Sequence, residues 1–219
     1  MDTTAIVVDV LRATTCMVVG IQNGITKIIP TSDAAEAASF VARLGSRDSL
    51  LAGETNGLKT QGFDIGNSPF EFSEEAVKGH TVIMSTTNGT TAVCAAASAD
   101  NVLIGAMVNA TAVAKRALAL GKDVILICAG TDGAISADDM IVAGAIAETI
   151  CAGAGEITCT DTVTICRWLY KAYTEKRVDI HEINHCKHLL ALGFENDVKL
   201  CFTRDTTDIV PTYSYGIIQ

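Results

Sequence analysis

The sequence predicts an α/β fold, layered α/β/α around a mixed, mostly parallel sheet, and three observations lead there. Short apolar runs alternate with stretches of helical period along the chain. Ala, Val, Ile and Gly dominate a composition that is 49% hydrophobic but only 5% aromatic, with mean hydropathy +0.34, as strands covered on both faces require. Polar, glycine-punctuated loops follow the apolar runs, where an open sheet gathers ligands beyond its strand ends. The 219 residues fit a single domain, with two lobes of about 1–98 and 99–219 as the alternative division.

The elements follow in order. Ala5 to Val10 is an apolar run of buried-strand type, broken only by Asp9 near its end. Ala13 to Asn23 reads as a helix with Gly24 as its C-cap, and Lys27 to Pro30 as a short strand. The next helix takes Thr31 or Ser32 as N-cap and Gly45 as C-cap. Ser49 to Ala52 is a strand, after which Gly53 to Phe72 carries only loop chemistry, a length that marks a functional segment. Ser73 with Glu74 and Glu75 starts a short helix, Thr81 to Met84 is a strand, and Gly89 to Ala97 is a helix entered from a TTNG turn. Asn101 to Ile104 and Val124 to Cys128 are further buried strands around a helix at Thr111 to Leu120. A long Ala-rich helix from Ala137 or Asp138 to Cys151 precedes helices at Asp161 to Tyr173 and His181 to Leu192. The last strand, Asp208 to Tyr213, holds Pro211 and is expected at a sheet edge.

Composition excludes several classes. No apolar stretch reaches the roughly 20 residues of a membrane helix, and no basic region with an apolar signal core opens the chain, so a soluble cytoplasmic protein is expected. A net charge of −9 opposes nucleic-acid binding, which needs clustered Lys and Arg. The eight cysteines form no CxxC pair and read as reduced structural thiols. Cys128 lacks the arginine of a CX5R phosphate loop, since Ala134 stands there. The stretch HEINH, His181 to His185, matches the HExxH zinc pattern, but no third ligand follows, and these histidines read as exposed helix residues.

The chemistry sits in the loops. Asp9 ends a strand beside a helix start, where a Mg²⁺ ligand and a nucleophile both fit. Its surroundings resemble the opening of haloacid-dehalogenase phosphatases, but Leu11 stands where their general acid belongs. Arg12 offers a planar fork for phosphate or sulfonate, with the Thr14 and Thr15 hydroxyls at the helix start, or else pairs with Asp9 while Thr14 caps. Glu54 lies in a glycine-bracketed turn, and carboxylates from separate loops are what Mg²⁺ uses. Thr86, Thr87, Asn88 and Gly89 place neutral donors before a helix, suited to an oxyanion or simply to a tight turn. Asp139 starts a helix after the CAG loop, where the helix dipole also favours acids.

Taken together, VVDVLRATT, AGE with NGLK, GFDIGNSP, TTNGT, the CAGT loop with Ser136 to Asp139, and LLALGF with DIVP resemble the 2-phosphosulfolactate phosphatase (ComB) family over nearly the whole chain. The resemblance implies a Mg²⁺-dependent α/β phosphatase that converts (2R)-2-phospho-3-sulfolactate to 3-sulfolactate and phosphate, a coenzyme M biosynthetic step. It implies importance for Asp9, Arg12, Thr14, Glu54, Lys59, Asn67, Ser68, Thr87, Asn88, Gly89 and Asp139; the roles follow from the loop chemistry, which puts Mg²⁺ on Asp9 and Glu54 with Asp139 as a further candidate ligand. The partner is then a small anionic phosphorylated substrate, and a homodimer is left open. Thr55 and Thr91 depart from the family, which carries arginines there; each lost charge-assisted bond is worth roughly 1.5–3 kcal/mol. That departure keeps two alternatives in view, another small phosphorylated acid as substrate and a non-catalytic anion binder. The family also has a strand-forming segment ahead of VVDV, so the start of this chain reads as trimmed.

Overall fold

The apolar runs become a nine-stranded sheet in the computed structural model, which describes residues 2–44 and 48–219; the expected Gly45 cap lies outside them. In sheet order the strands are β4 (Leu58–Lys59), β3 (Ser49–Thr55), β5 (Thr81–Ser85), β2 (Lys27–Pro30), β9 (Ile217–Ile218), β8 (Thr212–Ser214), β6 (Asn101–Gly105), β1 (Thr3–Val8) and β7 (Asp123–Cys128). Two parallel trios, β3-β5-β2 and β6-β1-β7, are joined by the antiparallel hairpin β8-β9. Among the described residues four neighbouring pairs are parallel and four antiparallel, but the parallel ladders are the long ones, so the sheet is mixed with most of its paired residues parallel.

The C-terminal strand is therefore central, not at the edge expected from Pro211. That proline lies just ahead of β8, where its missing N–H removes no ladder bond while its carbonyl still accepts from Ile104 N–H at 2.9 Å. The edges are β4 and β7, and Ile125 of β7 is 47% exposed.

The helices are α1 (Ala13–Gln22), α2 (Ala34–Leu44), α3 (Glu74–Val77), α4 (Gly89–Ala95), α5 (Ala110–Leu120), α6 (Ala137–Gly153), α7 (Asp161–Thr174), α8 (Asn184–Ala191) and α9 (Glu195–Cys201). Alternation along β1 shows why they form two layers. Ala5 and Val7 join one core with α1, whereas Ile6 and Val8 join another with α5, α6, α8 and α9. Residues of α1 are buried nearly all round, and its Met17 and Val18 share a core with Val7 and Ile104 of one trio and Ile28 and Met84 of the other. Because both trios pack on α1, the loops leaving β1, β3 and β5 are drawn together at its N-terminal end.

Local chemistry moved several boundaries. The N-cap of α2 is Asp33, whose Oδ1 accepts from Glu36 N–H at 2.8 Å, while the Thr31 hydroxyl turns to the Met84 carbonyl. Asn56 and Gly57, with φ of 53° and 81°, make a type I′ hairpin turn between β3 and β4 inside the expected loop. The HEINH stretch is not one helix: a 3₁₀ turn at Ile180–Glu182 ends in extended Ile183 before α8, so His181 and His185 share no helical face. No helix among the described residues is long and apolar enough to cross a membrane.

Candidate active site

The loop after β1 is knotted by its own hydroxyls. Thr14 Oγ1 accepts from Asp9 N–H at 3.0 Å and donates to the Asp9 carbonyl, and Thr15 Oγ1 donates to the Val10 carbonyl at 2.9 Å. Both threonines are fully buried, so neither meets a substrate as expected; they hold the turn that aims Asp9. Asp9 lines a cavity of about 890 Å³. Its carboxyl is pushed up to about 7 by burial, then by the charges of Asp138 and Glu54, against the opposing pull of His185 and the Ala13 N–H.

Arg12 does not pair with Asp9. Its guanidinium donates to Asp197 Oδ2 at 2.7 Å and to the Gly57 carbonyl at 2.5 Å, and lies 4.1 Å from the centroid of the Phe194 ring. With 2% exposure and its charge met by Asp197, it clamps the β1 loop, the β3-β4 hairpin and α9 together while bordering the cavity. Ser68, expected on substrate, instead donates to Asp197 Oδ1 at 2.9 Å and caps the turn at Pro69–Phe72. Lys59 is exposed on β4, its ammonium 3.3 Å from the Asp64 carbonyl and away from the cavity.

Glu54 ties two loops. Its Oε2 accepts from Gly57 N–H at 2.7 Å, and its Oε1 accepts both the Thr87 N–H and the Thr87 hydroxyl at 2.9 Å. Glu54, Thr87 and Asn88 all line the cavity. Thr86 does not: it exchanges hydrogen bonds with Thr90 and caps α4 from a buried position. Gly89 is required by closeness, since a Cβ there would lie 2.4 Å from Ala13 Cβ and 2.5 Å from Asp9 Oδ2. Neither Thr55, bonded to Thr60, nor exposed Thr91 borders the cavity.

Asn67 is 5% exposed and lines the same cavity, and its Oδ1 is buried without a hydrogen-bond partner among the described residues. An orphaned acceptor of this kind points to a ligand.

Asp139 has another role than the ion ligand expected. Its two oxygens accept from Val10 N–H and Gly130 N–H, each at 2.9 Å, joining the loops after β1 and β7, and it does not border the cavity. Burial, with Asp9 and Asp138 nearby, holds its carboxyl well above the usual range. Asp138, one residue earlier on α6, accepts from the Ser136 hydroxyl on one oxygen and lies 3.0 Å from His185 Nδ1 on the other. His185 lines the cavity. Burial pulls its imidazole down, but the hydrogen bond and charge of Asp138, with Asp9 and Glu54, raise it overall. Burial and Asp139 push the Cys128 thiol up, which removes any thiolate nucleophile there.

The donor set fits a hard divalent cation, although no preformed cage of three His, Cys, Asp or Glu side chains exists among the described residues. Mg²⁺ is held by one or two carboxylates with waters and substrate oxygens filling the rest. Asp9 and Glu54 would supply the carboxylates, with the orphaned Asn67 oxygen as a neutral donor. The cavity wall also carries Asp132, Asp179 and Glu182, against Arg12 and Arg177, which are paired with Asp197 and Glu175. Without a cation such a wall repels a phosphate ester.

Sequence reading missed Asp197, His185 and Arg177. Asp197 and His185 come from α9 and α8, far from the loops in sequence, and no local pattern signals that meeting; in the structure the Asn-Gly turn packs on the end of α8, where a Cβ on Gly57 would lie 2.8 Å from Leu192 Cδ1.

The family model described as 2-phosphosulpholactate phosphatase matches residues 1–216. A curated relative from Caldanaerobacter subterraneus subsp. tengcongensis is 40% identical over 98% of this chain and 89% of its own length. Relatives from Clostridium tetani and Clostridium acetobutylicum are 38% and 37% identical, over 100% and 98% of this chain and 92% and 91% of theirs. All three bear the name "Probable 2-phosphosulfolactate phosphatase".

Proposed function

This chain belongs to the 2-phosphosulpholactate phosphatase family, and from that membership and its cavity we propose that it hydrolyses (2R)-2-phospho-3-sulfolactate to 3-sulfolactate and phosphate, with Mg²⁺ as its ion. The reaction is of the kind used in coenzyme M biosynthesis. The observation that carries the proposal is the pairing of cavity-lining Asp9 and Glu54 with the orphaned Asn67 oxygen. Mg²⁺ on Asp9 and Glu54 would neutralise phosphoryl oxygens, which is what an anionic ester needs in an acidic cavity.

The protein's own groups supply positioning. Thr14 and Thr15 fix the Asp9 turn, Gly89 lets α4 pack directly on the Asp9 carboxyl, and Asp139 holds the neighbouring backbone at Val10. Glu54 sets the distance between the hairpin and Thr87, and the clamp of Arg12 on Asp197 closes one wall. Arg177 on the rim, paired with Glu175, is the cation nearest to hand for a sulfonate. The side chains of Thr55 and Thr91 lie off the cavity, and another small phosphorylated acid is the second reading that their lack of charge supports.

Phosphate release from 2-phospho-3-sulfolactate and a panel of phosphorylated C3 and C4 acids, with Mg²⁺ and with EDTA, tests this reading. Mg²⁺-dependent release that favours phosphosulfolactate is expected. Absence of release from every ester would make the protein an anion binder, and preference for another acid would move the substrate.

A further inference from the structure

A phosphate monoester of a secondary alcohol leaves behind an alkoxide, a very poor leaving group unless a proton reaches it. In the cavity His185 is held in place to carry such a proton. The Asp138 carboxylate can only accept, so His185 Nδ1 carries the hydrogen in the 3.0 Å contact and the tautomer is fixed. The rest of the shell agrees in direction: the Thr131 hydroxyl donates to Ser136 Oγ at 3.1 Å, and the Ser136 hydroxyl donates to Asp138. Asp138 is fully buried, so this chain of donors locks the imidazole plane on a rigid helix. His185 Nε2 has no protein partner among the described residues, and the ring borders the cavity that Asp9 lines.

Resting on the phosphatase reading above, we propose that His185 is the general acid that protonates the departing alcohol oxygen, and that Asp138 is its positioning residue. Water's oxygen forms the new bond to phosphorus as the bond from phosphorus to the alcohol oxygen breaks. The Nε2 proton goes to that oxygen, giving the alcohol and dihydrogen phosphate. Dihydrogen phosphate then returns one proton to Nε2, so ester dianion and water become alcohol and hydrogen phosphate with nothing left over.

The electrostatics favour the charged imidazole. Asp138 from α6 stabilises the cation by its hydrogen bond and its charge, with lesser contributions from Asp9 beyond β1 and Glu54 from β3 in the ion-free protein. On the rim, Arg177 opposes Asp132, Asp179 and Glu182, with the His188 ring beside them.

The test compares H185N with wild type on two esters, 2-phospho-3-sulfolactate and 4-nitrophenyl phosphate, whose phenolate leaves without a proton. H185N is expected to slow the alkyl ester by roughly 10²–10⁴-fold and the aryl ester by less than about tenfold. A second readout uses pH: wild-type turnover of the alkyl ester should fall as pH rises through a limb above the ordinary imidazole value. That limb should move down in D138N and vanish in H185N, with thermal unfolding checking that both variants fold. Equal losses on both esters would overturn the proton role, and an unchanged limb in D138N would overturn the positioning role. If wild type does not accept the aryl ester, the limb alone decides. Wild type releasing phosphate from neither ester would refute the phosphatase reading, and this inference with it.

Discussion

Replacing Asp9 by Asn removes a buried negative charge at nearly constant volume, and the metal-free protein should become more stable at neutral pH even as it loses activity. The sign follows from the protons. Below pH 3.8 the carboxyl is protonated folded and unfolded, so wild type and variant match; as pH rises the unfolded chain ionises first, while the folded carboxyl keeps its proton up to about 7. Wild type therefore loses stability relative to D9N across that window. The difference between 3.8 and about 7, at about 1.36 kcal/mol per pH unit, sets an upper limit of roughly 4 kcal/mol. Relaxation around the carboxylate reduces it, and about 2–4 kcal/mol is expected. Urea unfolding in EDTA at pH 5 and pH 8 measures it: D9N should exceed wild type by that amount at pH 8, and by less than half as much at pH 5. Saturating Mg²⁺ should close the gap at pH 8 by binding only the folded wild type, since about 100-fold excess over Kd contributes about 2.7 kcal/mol. A D9N protein no more stable than wild type at pH 8, or a gap independent of pH, would show that the carboxylate is already compensated within the fold and that the case for a cation there is wrong.

Two further outcomes follow from the same geometry. Asp197→Ala leaves the Arg12 guanidinium buried without its partner and should cost about 3–5 kcal/mol in urea unfolding, far more than loss of any exposed ion pair such as Lys78 with Glu74. Gly89→Ala drives a methyl into Asp9 Oδ2 and Ala13 Cβ; it should cost about 1–3 kcal/mol and lower phosphate release by about 10²-fold with the fold retained, as judged by circular dichroism alongside the assay.

Much of the scaffold was legible because its signals are local. Strand runs, the Gly24, Gly121 and Gly193 helix ends and the Ala137 helix start depend on near neighbours in the chain. The Asn56–Gly57 hairpin is equally local, but the segment around it reads as uniformly loop-like and hides the turn. Site residues were harder for a different reason: a hydroxyl or carboxylate beside a strand end serves a turn as readily as a ligand. Thr14, Thr15, Ser68 and Thr86 turned inward to bind backbone or Asp197, and Asp139 spent both oxygens on N–H groups. Asp9, Glu54, Asn67, Thr87 and Asn88 kept a face on the cavity.

The sequence by itself determined the α/β class, the acid at the end of the first strand and the set of polar loops around it, since hydrophobic period and loop chemistry are written residue by residue. Only the tertiary structure decided that the C-terminal hairpin sits mid-sheet, that Arg12 answers to Asp197, and that a histidine from α8 faces Asp9. Those meetings join residues more than a hundred positions apart, and they are set by how two strand trios close on one buried helix, which no local pattern encodes.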